Sequence, residues 1–318
     1  MRKASLGRLE VSVVGMGCNN FGRALDADGT SRVVGAARDL GITFFDTADN
    51  YGDGRSEEYL GKALGARRSE AVIATKFGMP VPREKESGGA APEYVRRAIE
   101  RSLRMLQTDW IDLYQLHLPD PATPIGDTLE VLSELVESGE VREIGCSNLS
   151  AAQMAEAAEV TNVSGWRPFA TTQVQYSLLH RTPERDGTVD QCVAESMGLL
   201  PFYPLANGLL TGKLHKGQDP TGRLEMERYQ GFLTDANFSM VDRLRRFAAD
   251  RDLSEVQVAL GWLLAQPVVP VVIPGATKAE HVSASASAAD WHPTAEDLAE
   301  LDVVSSPEPT EDAPPPPS

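Results

Sequence analysis

Short apolar runs alternate with longer amphipathic stretches along most of the chain. The runs Val11–Met16, Thr43–Phe45, Ala71–Ala74, Ile111–Leu116, Arg142–Cys146, Ala170–Val174, Leu199–Phe202 and Val268–Ile273 have the length and side chains of strands. Between them, apolar residues recur with helical spacing in Ser31–Leu40, Ser56–Leu64, Pro92–Leu106, Ile125–Ser138, Ala151–Val160, Glu184–Met197, Val241–Asp250 and Ser254–Ala265. Pro92 falls in a first helical turn, where its missing N–H is not needed. Ser254-Glu255-Val256-Gln257 has the form of a capping box. Strands separated by helices pair in parallel through right-handed crossovers. Eight such units predict an α/β fold closed as a (β/α)8 TIM barrel rather than an open sheet. Several of the strands are apolar on both faces, as a sheet covered by helices requires.

Some segments break the rhythm. Residues 1–10 are expected to form an N-terminal β-hairpin across the bottom of the barrel. Gly78–Ala91 and Lys213–Asn237 follow the third and seventh strands and read as long loops on the C-terminal face. Loops of that length in a compact domain commonly carry function. Residues 1–304 therefore read as one barrel domain. The stretch 305–318, rich in Pro, Glu and Asp, cannot bury a core and is expected to be disordered.

Composition narrows the class. The chain has 318 residues, 42% of them hydrophobic, which suits one barrel. No run approaches the roughly 20 apolar residues that span a bilayer, and Met1-Arg2-Lys3-Ala4-Ser5 does not open a signal peptide. Cys18, Cys146 and Cys192 are too few and too scattered for a disulfide framework, so a cytoplasmic location is expected. The formal charge of −16 repels phosphate backbones and argues against nucleic-acid binding. No membrane contact is expected, and nothing demands more than a monomer or weak oligomer. The five histidines are dispersed without zinc-ligand spacing, so no metal is expected.

Catalytic groups in such barrels sit where strands end and loops begin. Asp46 ends the second strand, with Tyr51 shortly after it; Lys76 ends the third and His117 the fourth. Taken singly, each has an ordinary explanation as a cap, a solvated charge or a packed ring. On adjacent strand ends they form a proton-transfer set. A free phenol has a pKa of about 10, and a neighbouring ammonium lowers it. Lys76 can supply that charge, Asp46 can hold Lys76, and His117 can orient a carbonyl oxygen toward Tyr51. Reduction of C=O also needs a hydride, which no side chain donates, so a cofactor is implied.

The segments Phe45-Asp46-Thr47-Ala48-Asp49-Asn50-Tyr51-Gly52, Ala74-Thr75-Lys76 and Gln115-Leu116-His117 resemble the Asp/Tyr/Lys/His tetrad of the aldo-keto reductases. The likeness runs from about Ser5 to Leu301 and points to the long-loop branch of bacterial reductases and potassium-channel β-subunits. It implies Tyr51 as general acid, Asp46 and Lys76 as its tuners, and His117 as the substrate-positioning group. It further implies that Ser147, Asn148 and Gln173 hold the nicotinamide amide. Phe202 would stack on the ring, and Tyr203, Pro204, Leu205 and Gly208 would continue along the cofactor. Lys213 and Arg223 would clamp the phosphates. Gly275, Thr277, Lys278 and His281 would form the adenosine-phosphate end. Tyr203 stands where Ser is usual, and His281 where Arg or Gln is usual. The implied cofactor is NADPH, with NADH as an alternative. The implied function is reversible reduction of an aldehyde or ketone, a small-molecule carbonyl substrate. The alternative is a cofactor-binding regulatory subunit like those of potassium channels.

Overall fold

Seven parallel strands follow one another around a common axis in chain order. The computed structural model describes residues 1–82, 84, 85 and 87–306, the side chain of Arg228 excepted. β1 (Lys3–Leu6) and β2 (Leu9–Ser12) form an antiparallel hairpin. The barrel strands are β3 (Met16–Gly17), β4 (Phe44–Asp46), β5 (Val72–Phe77), β6 (Ile111–Leu116), β7 (Val141–Ser147), β8 (Thr171–Gln175) and β9 (Gly198–Phe202). Residues 268–275 complete the ring as its eighth stave. Val272 and Gly275 bridge in parallel to Val14 and Gly17 on one side. On the other, Leu199 N–H donates to the Val268 carbonyl at 2.6 Å. The expected barrel is therefore present, closed by bridges rather than by a full eighth ladder.

The helices are α1 (Ala27–Asp39), α2 (Arg55–Leu64), α3 (Pro92–Leu106), α4 (Ile125–Ser138), α5 (Ala151–Ser164), α6 (Thr188–Ala194), α7 (Asp235–Ala249), α8 (Glu255–Leu264), α9 (Ala279–Ala286) and α10 (Ala295–Ser305). Ser150 with Gln153, Ser254 with Gln257 and Thr294 with Asp297 each form a capping box at a helix start.

Several expectations shift, among them the starts of α1 at Ala27 and of α7 at Asp235, both earlier than expected. The run Val11–Met16 is not one strand. Its first residues finish the hairpin, and the Ser12 hydroxyl, donating to the Val14 carbonyl at 2.7 Å, turns the chain before β3 begins. The hairpin therefore reaches to residue 12, and Leu6, Leu9 and Val11 plug the barrel against Phe44, Ala74, Leu113, Leu200 and Val271. β5 runs past its apolar start through Thr75-Lys76-Phe77. Helix α6 starts only at Thr188, after Gly187 in a left-handed conformation. Helix α10 takes in Ser305, and Ser306 donates its hydroxyl to the Asp302 carbonyl at 2.7 Å. The expectation of disorder concerns residues from 307 on, which lie outside the described residues. All three cysteines are buried free thiols.

Helices α2 and α3 approach closely because Gly61 has no side chain. A Cβ there would stand 2.4 Å from the Leu106 carbonyl oxygen, which is backbone and cannot turn aside. Gly61→Ala is expected to destabilise the protein by about 1–3 kcal/mol through overpacking, read as a lower midpoint in urea. An unchanged midpoint would mean that the two helices can part freely.

Candidate active site

The ends of β4, β5 and β6 bring four side chains to one place. Asp46 is the last residue of β4, Lys76 lies near the end of β5, and His117 follows β6. His117 N–H donates to the Phe77 carbonyl at 2.8 Å, which fixes the two strand ends side by side. Tyr51 opens the kinked turn Tyr51–Gly54 in the loop after β4, in which Gly52 and Asp53 hold φ +57 and +58.

Lys76 is wholly buried, and its Nζ donates to Asp46 Oδ2 at 2.7 Å, to the Thr47 carbonyl at 2.7 Å and to Tyr51 Oη at 3.5 Å. Asp46 is held in turn. Its Oδ1 accepts from Gln173 Nε2 at 3.0 Å and from Gln115 Nε2 at 3.3 Å. A buried ion pair persists only with such further partners. The rings of Tyr51 and His117 meet edge to face at 6.0 Å.

The electrostatics settle the protonation states. Burial pulls the Lys76 ammonium down, but the attraction of Asp46, aided by Tyr51, outweighs it and leaves Lys76 above its ordinary value. Burial pushes the Tyr51 phenol up; the pull of Lys76 acts downward but is smaller, so the net shift is upward. The expectation that Lys76 lowers the phenol holds for the sign of its own effect, while desolvation decides the total. Burial, then Lys76, pushes the His117 imidazole down to about 3, so at neutral pH it is uncharged. Its Nδ1 is buried with no hydrogen-bond partner among the described residues. Two neutral groups, a phenol and an imidazole, thus stand side by side.

The remaining candidates line the same face. Ser147 Oγ donates to the Gln173 carbonyl at 2.8 Å, and Asn148 Nδ2 donates to the His117 carbonyl at 3.0 Å. Asn148 holds φ +60, and Tyr203, Ala206 and Asn207 hold φ +50, +46 and +58. Left-handed backbone is uncommon outside glycine and persists where the surroundings hold it. Phe202 ends β9, and Pro204, Leu205 and Gly208 follow it. Both amide atoms of Asn207 are buried without a partner among the described residues.

The basic residues divide. Arg223 lies against the Tyr203 ring, 5.8 Å from its centroid, and donates to Asn20 Oδ1 at 3.2 Å. Burial lowers its pKa, and among the described residues no carboxylate lies within ion-pair distance of it. Tyr203 in turn shares a 3.1 Å hydrogen bond with Tyr229. At the other end, burial, then the charges of Lys213 and Lys278, push the His281 imidazole down. Thr277 Oγ1 meets His281 Nδ1 at 3.4 Å, and Gly275 lies beside the Asn19 and Asn20 side chains. Among the described residues, Gly275, Thr277, Lys278 and His281 make no side-chain hydrogen bond to the tetrad. Gln115, Asn207 and Tyr229 are site residues that the sequence does not single out. Gln115 alone leaves a signal there, as a polar residue in an apolar strand.

A model of the Aldo/keto reductase family matches residues 13–306. A probable voltage-gated potassium channel subunit beta of Oryza sativa subsp. japonica is 33% identical, over 98% of this chain and 99% of its own. An L-glyceraldehyde 3-phosphate reductase of Escherichia coli O157:H7 is 32% identical, over 89% of this chain and 86% of its own. Among solved structures, an aldo-keto reductase from Bacillus halodurans in its holo form matches with a TM-score of 0.80 and 30% identity, over 98% of this chain and 99% of that one. The glycerol dehydrogenase of Gluconobacter oxydans matches with a TM-score of 0.85 and 29% identity, over 98% of each chain.

Proposed function

Because the chain belongs to the aldo/keto reductase family, whose members are oxidoreductases acting on carbonyl and alcohol groups, we propose that it reduces an aldehyde or ketone with Tyr51 as proton donor. The observation that carries this is the juxtaposition of the Tyr51 phenol and the neutral His117 imidazole beside the buried Lys76–Asp46 pair. A carbonyl oxygen between the two donors is polarised by His117 and receives its proton from Tyr51. Lys76 stabilises the phenolate left behind, and Asp46 keeps Lys76 charged and in place. Reversal, with the phenolate as base, oxidises the alcohol.

The cofactor proposed is NADPH, with NADH as the alternative. When bound, the reduced nicotinamide supplies the hydride. The residues present fit such a group: among the described residues the desolvated Arg223 has no carboxylate within ion-pair distance, the Asn207 amide atoms have no hydrogen-bond partner, and Lys213 and Lys278 act on His281. Ser147, Asn148 and Gln173 would hold the amide, Phe202 the ring, and Tyr203, Pro204, Leu205 and Gly208 the path beyond. Lys213 and Arg223 would hold the phosphates, with Gly275, Thr277, Lys278 and His281 beyond them. Lys213→Ala and Arg223→Ala are each expected to weaken NADPH binding by about 1–3 kcal/mol, the range for charge-assisted hydrogen bonds. Fluorescence titration measures this, and unchanged affinity in both variants removes the phosphate clamp.

Turnover of an aldehyde panel with NADPH and with NADH tests the function. Loss of nicotinamide absorbance with product formation supports it. Tight cofactor binding without turnover, in a stable tetramer, would favour a channel-type regulatory subunit instead. That alternative draws on the rice relative's name. Among the described residues no helix is long and apolar enough to cross a membrane. We place the protein in the cytoplasm, as a monomer or weak oligomer, with residues 1–304 acting as one barrel domain.

A further inference from the structure

Below the tyrosine turn lies a buried charged cluster that the proposed chemistry does not use. Arg101 on α3 is 8% exposed. Its Nη2 donates to the Asp49 carbonyl at 2.8 Å, and its Nη1 lies 3.8 Å from Asp49 Oδ2. Gly54, at φ +87, closes the Tyr51–Gly54 turn directly on this guanidinium, and a Cβ there would stand 2.6 Å from Nη2. On its other side Arg101 Nε lies 2.6 Å from Glu84 Oε1, on the loop that follows β5. That loop meets the tyrosine segment a second time, where Asn50 Nδ2 approaches Met79 Sδ at 3.6 Å.

Two carboxyls flank Arg101. Burial, then the neighbouring Glu57, pushes the Asp49 carboxyl up to about 8, against the pull of Arg101. Burial pushes the Glu57 carboxyl up as well. Tyr94 of α3 donates to Asp49 Oδ2 at 3.4 Å, and the Tyr114 phenol of β6, pushed up by burial, adds no charge. The half-exposed carboxyl of Glu84 is the nearer of the two that flank Arg101, at 2.6 Å against 3.8 Å for Asp49. A part-exposed ion pair adds little to global stability, but Arg101 touches the loop carboxylate and the turn backbone at once, so the two are held in register through it.

We propose that Arg101 is a positioning residue that ties Glu84, in the segment after β5, to the turn that carries Tyr51. The placement of the proton donor then depends on the Glu84 contact. This rests on Tyr51 being the acid, but the coupling itself can be read without catalysis.

The test uses the full chain with Glu84→Gln, Arg101→Lys and Arg101→Gln. Hydrogen–deuterium exchange is followed over residues 48–54, and kcat is measured with 4-nitrobenzaldehyde and NADPH. Glu84→Gln changes a half-exposed side chain and is expected to keep the melting temperature and the NADPH dissociation constant. It should nevertheless speed exchange over 48–54 by about tenfold and lower kcat by about threefold to tenfold, since misplacing a catalytic group slows the chemical step. Arg101→Lys should retain more of kcat than Arg101→Gln. Should Arg101→Gln fail to fold, Glu84→Gln decides alone. Either exchange over 48–54 or kcat left unchanged in Glu84→Gln overturns the coupling. Turnover retained by Tyr51→Phe would instead remove the acid assignment and leave the exchange result standing.

Discussion

Tyr51→Phe is expected to lower kcat for carbonyl reduction by about a hundredfold to ten-thousandfold, the contribution typical of a positioned general acid. The substitution removes one oxygen and nothing else. Among the described residues Tyr51 Oη makes one hydrogen bond, the 3.5 Å approach of Lys76 Nζ, while Lys76 keeps Asp46 and the Thr47 carbonyl as partners. The fold and the NADPH affinity should therefore survive. Single-turnover mixing of enzyme, NADPH and aldehyde separates the steps: binding should be seen and oxidation of the cofactor should not. Turnover within a factor of about ten of the parent would leave Tyr51 too small a role for a general acid.

Lys76→Met should be the most destabilising single change at the site. It leaves Asp46, 3% exposed, with its charge unpaired. Removing one member of a buried pair typically destabilises by about 3–5 kcal/mol. Activity should fall with it, because the ammonium that stabilises the phenolate is gone. The double variant Asp46→Asn with Lys76→Met distinguishes the two effects. The amide oxygen introduced by Asp46→Asn can still accept from Gln173 and Gln115, and the amide carries no charge, so most of the stability should return while turnover does not. Equilibrium unfolding in urea reads the first quantity and NADPH oxidation the second. A single variant as stable as the parent would show that water or a neighbour replaces Lys76.

Periodicity made most of the barrel legible. The boundaries of α3 and α4 and of β6 are where apolar spacing alone places them. The failures have physical causes. Thr75 and Lys76 looked like the end of a strand because they are polar, yet both are buried in its continuation, where they face partners rather than water. The eighth stave was visible as an apolar run, but its closure onto Val14 and Gly17 is a contact between distant parts of the chain. Helices α9 and α10 were missed: α9 is short and rich in Ala and Ser, with a weak apolar face, although the Thr294–Asp297 cap of α10 was there to be seen.

At the site, tetrad residues could be picked out because each follows an apolar strand. The roles of Gln115 on Asp46 and of Arg101 on the tyrosine turn could not, since both depend on partners many residues away. The balance of burial against Lys76 at the phenol was equally out of reach, because desolvation is a property of the packed site.

The identity of the proton donor can be read most directly by replacing Tyr51 with a ring-fluorinated tyrosine, which has the same hydroxyl and a more acidic phenol. The acid form is the active one for reduction, so activity is lost as pH rises through the phenol's pKa. With the unsubstituted phenol held above its ordinary value, kcat for reduction should stay level through the neutral range and decline only in strong alkali. Fluorination should bring that decline to lower pH, further with each added fluorine. A pH profile that ignores fluorination would contradict Tyr51 as the group that delivers the proton.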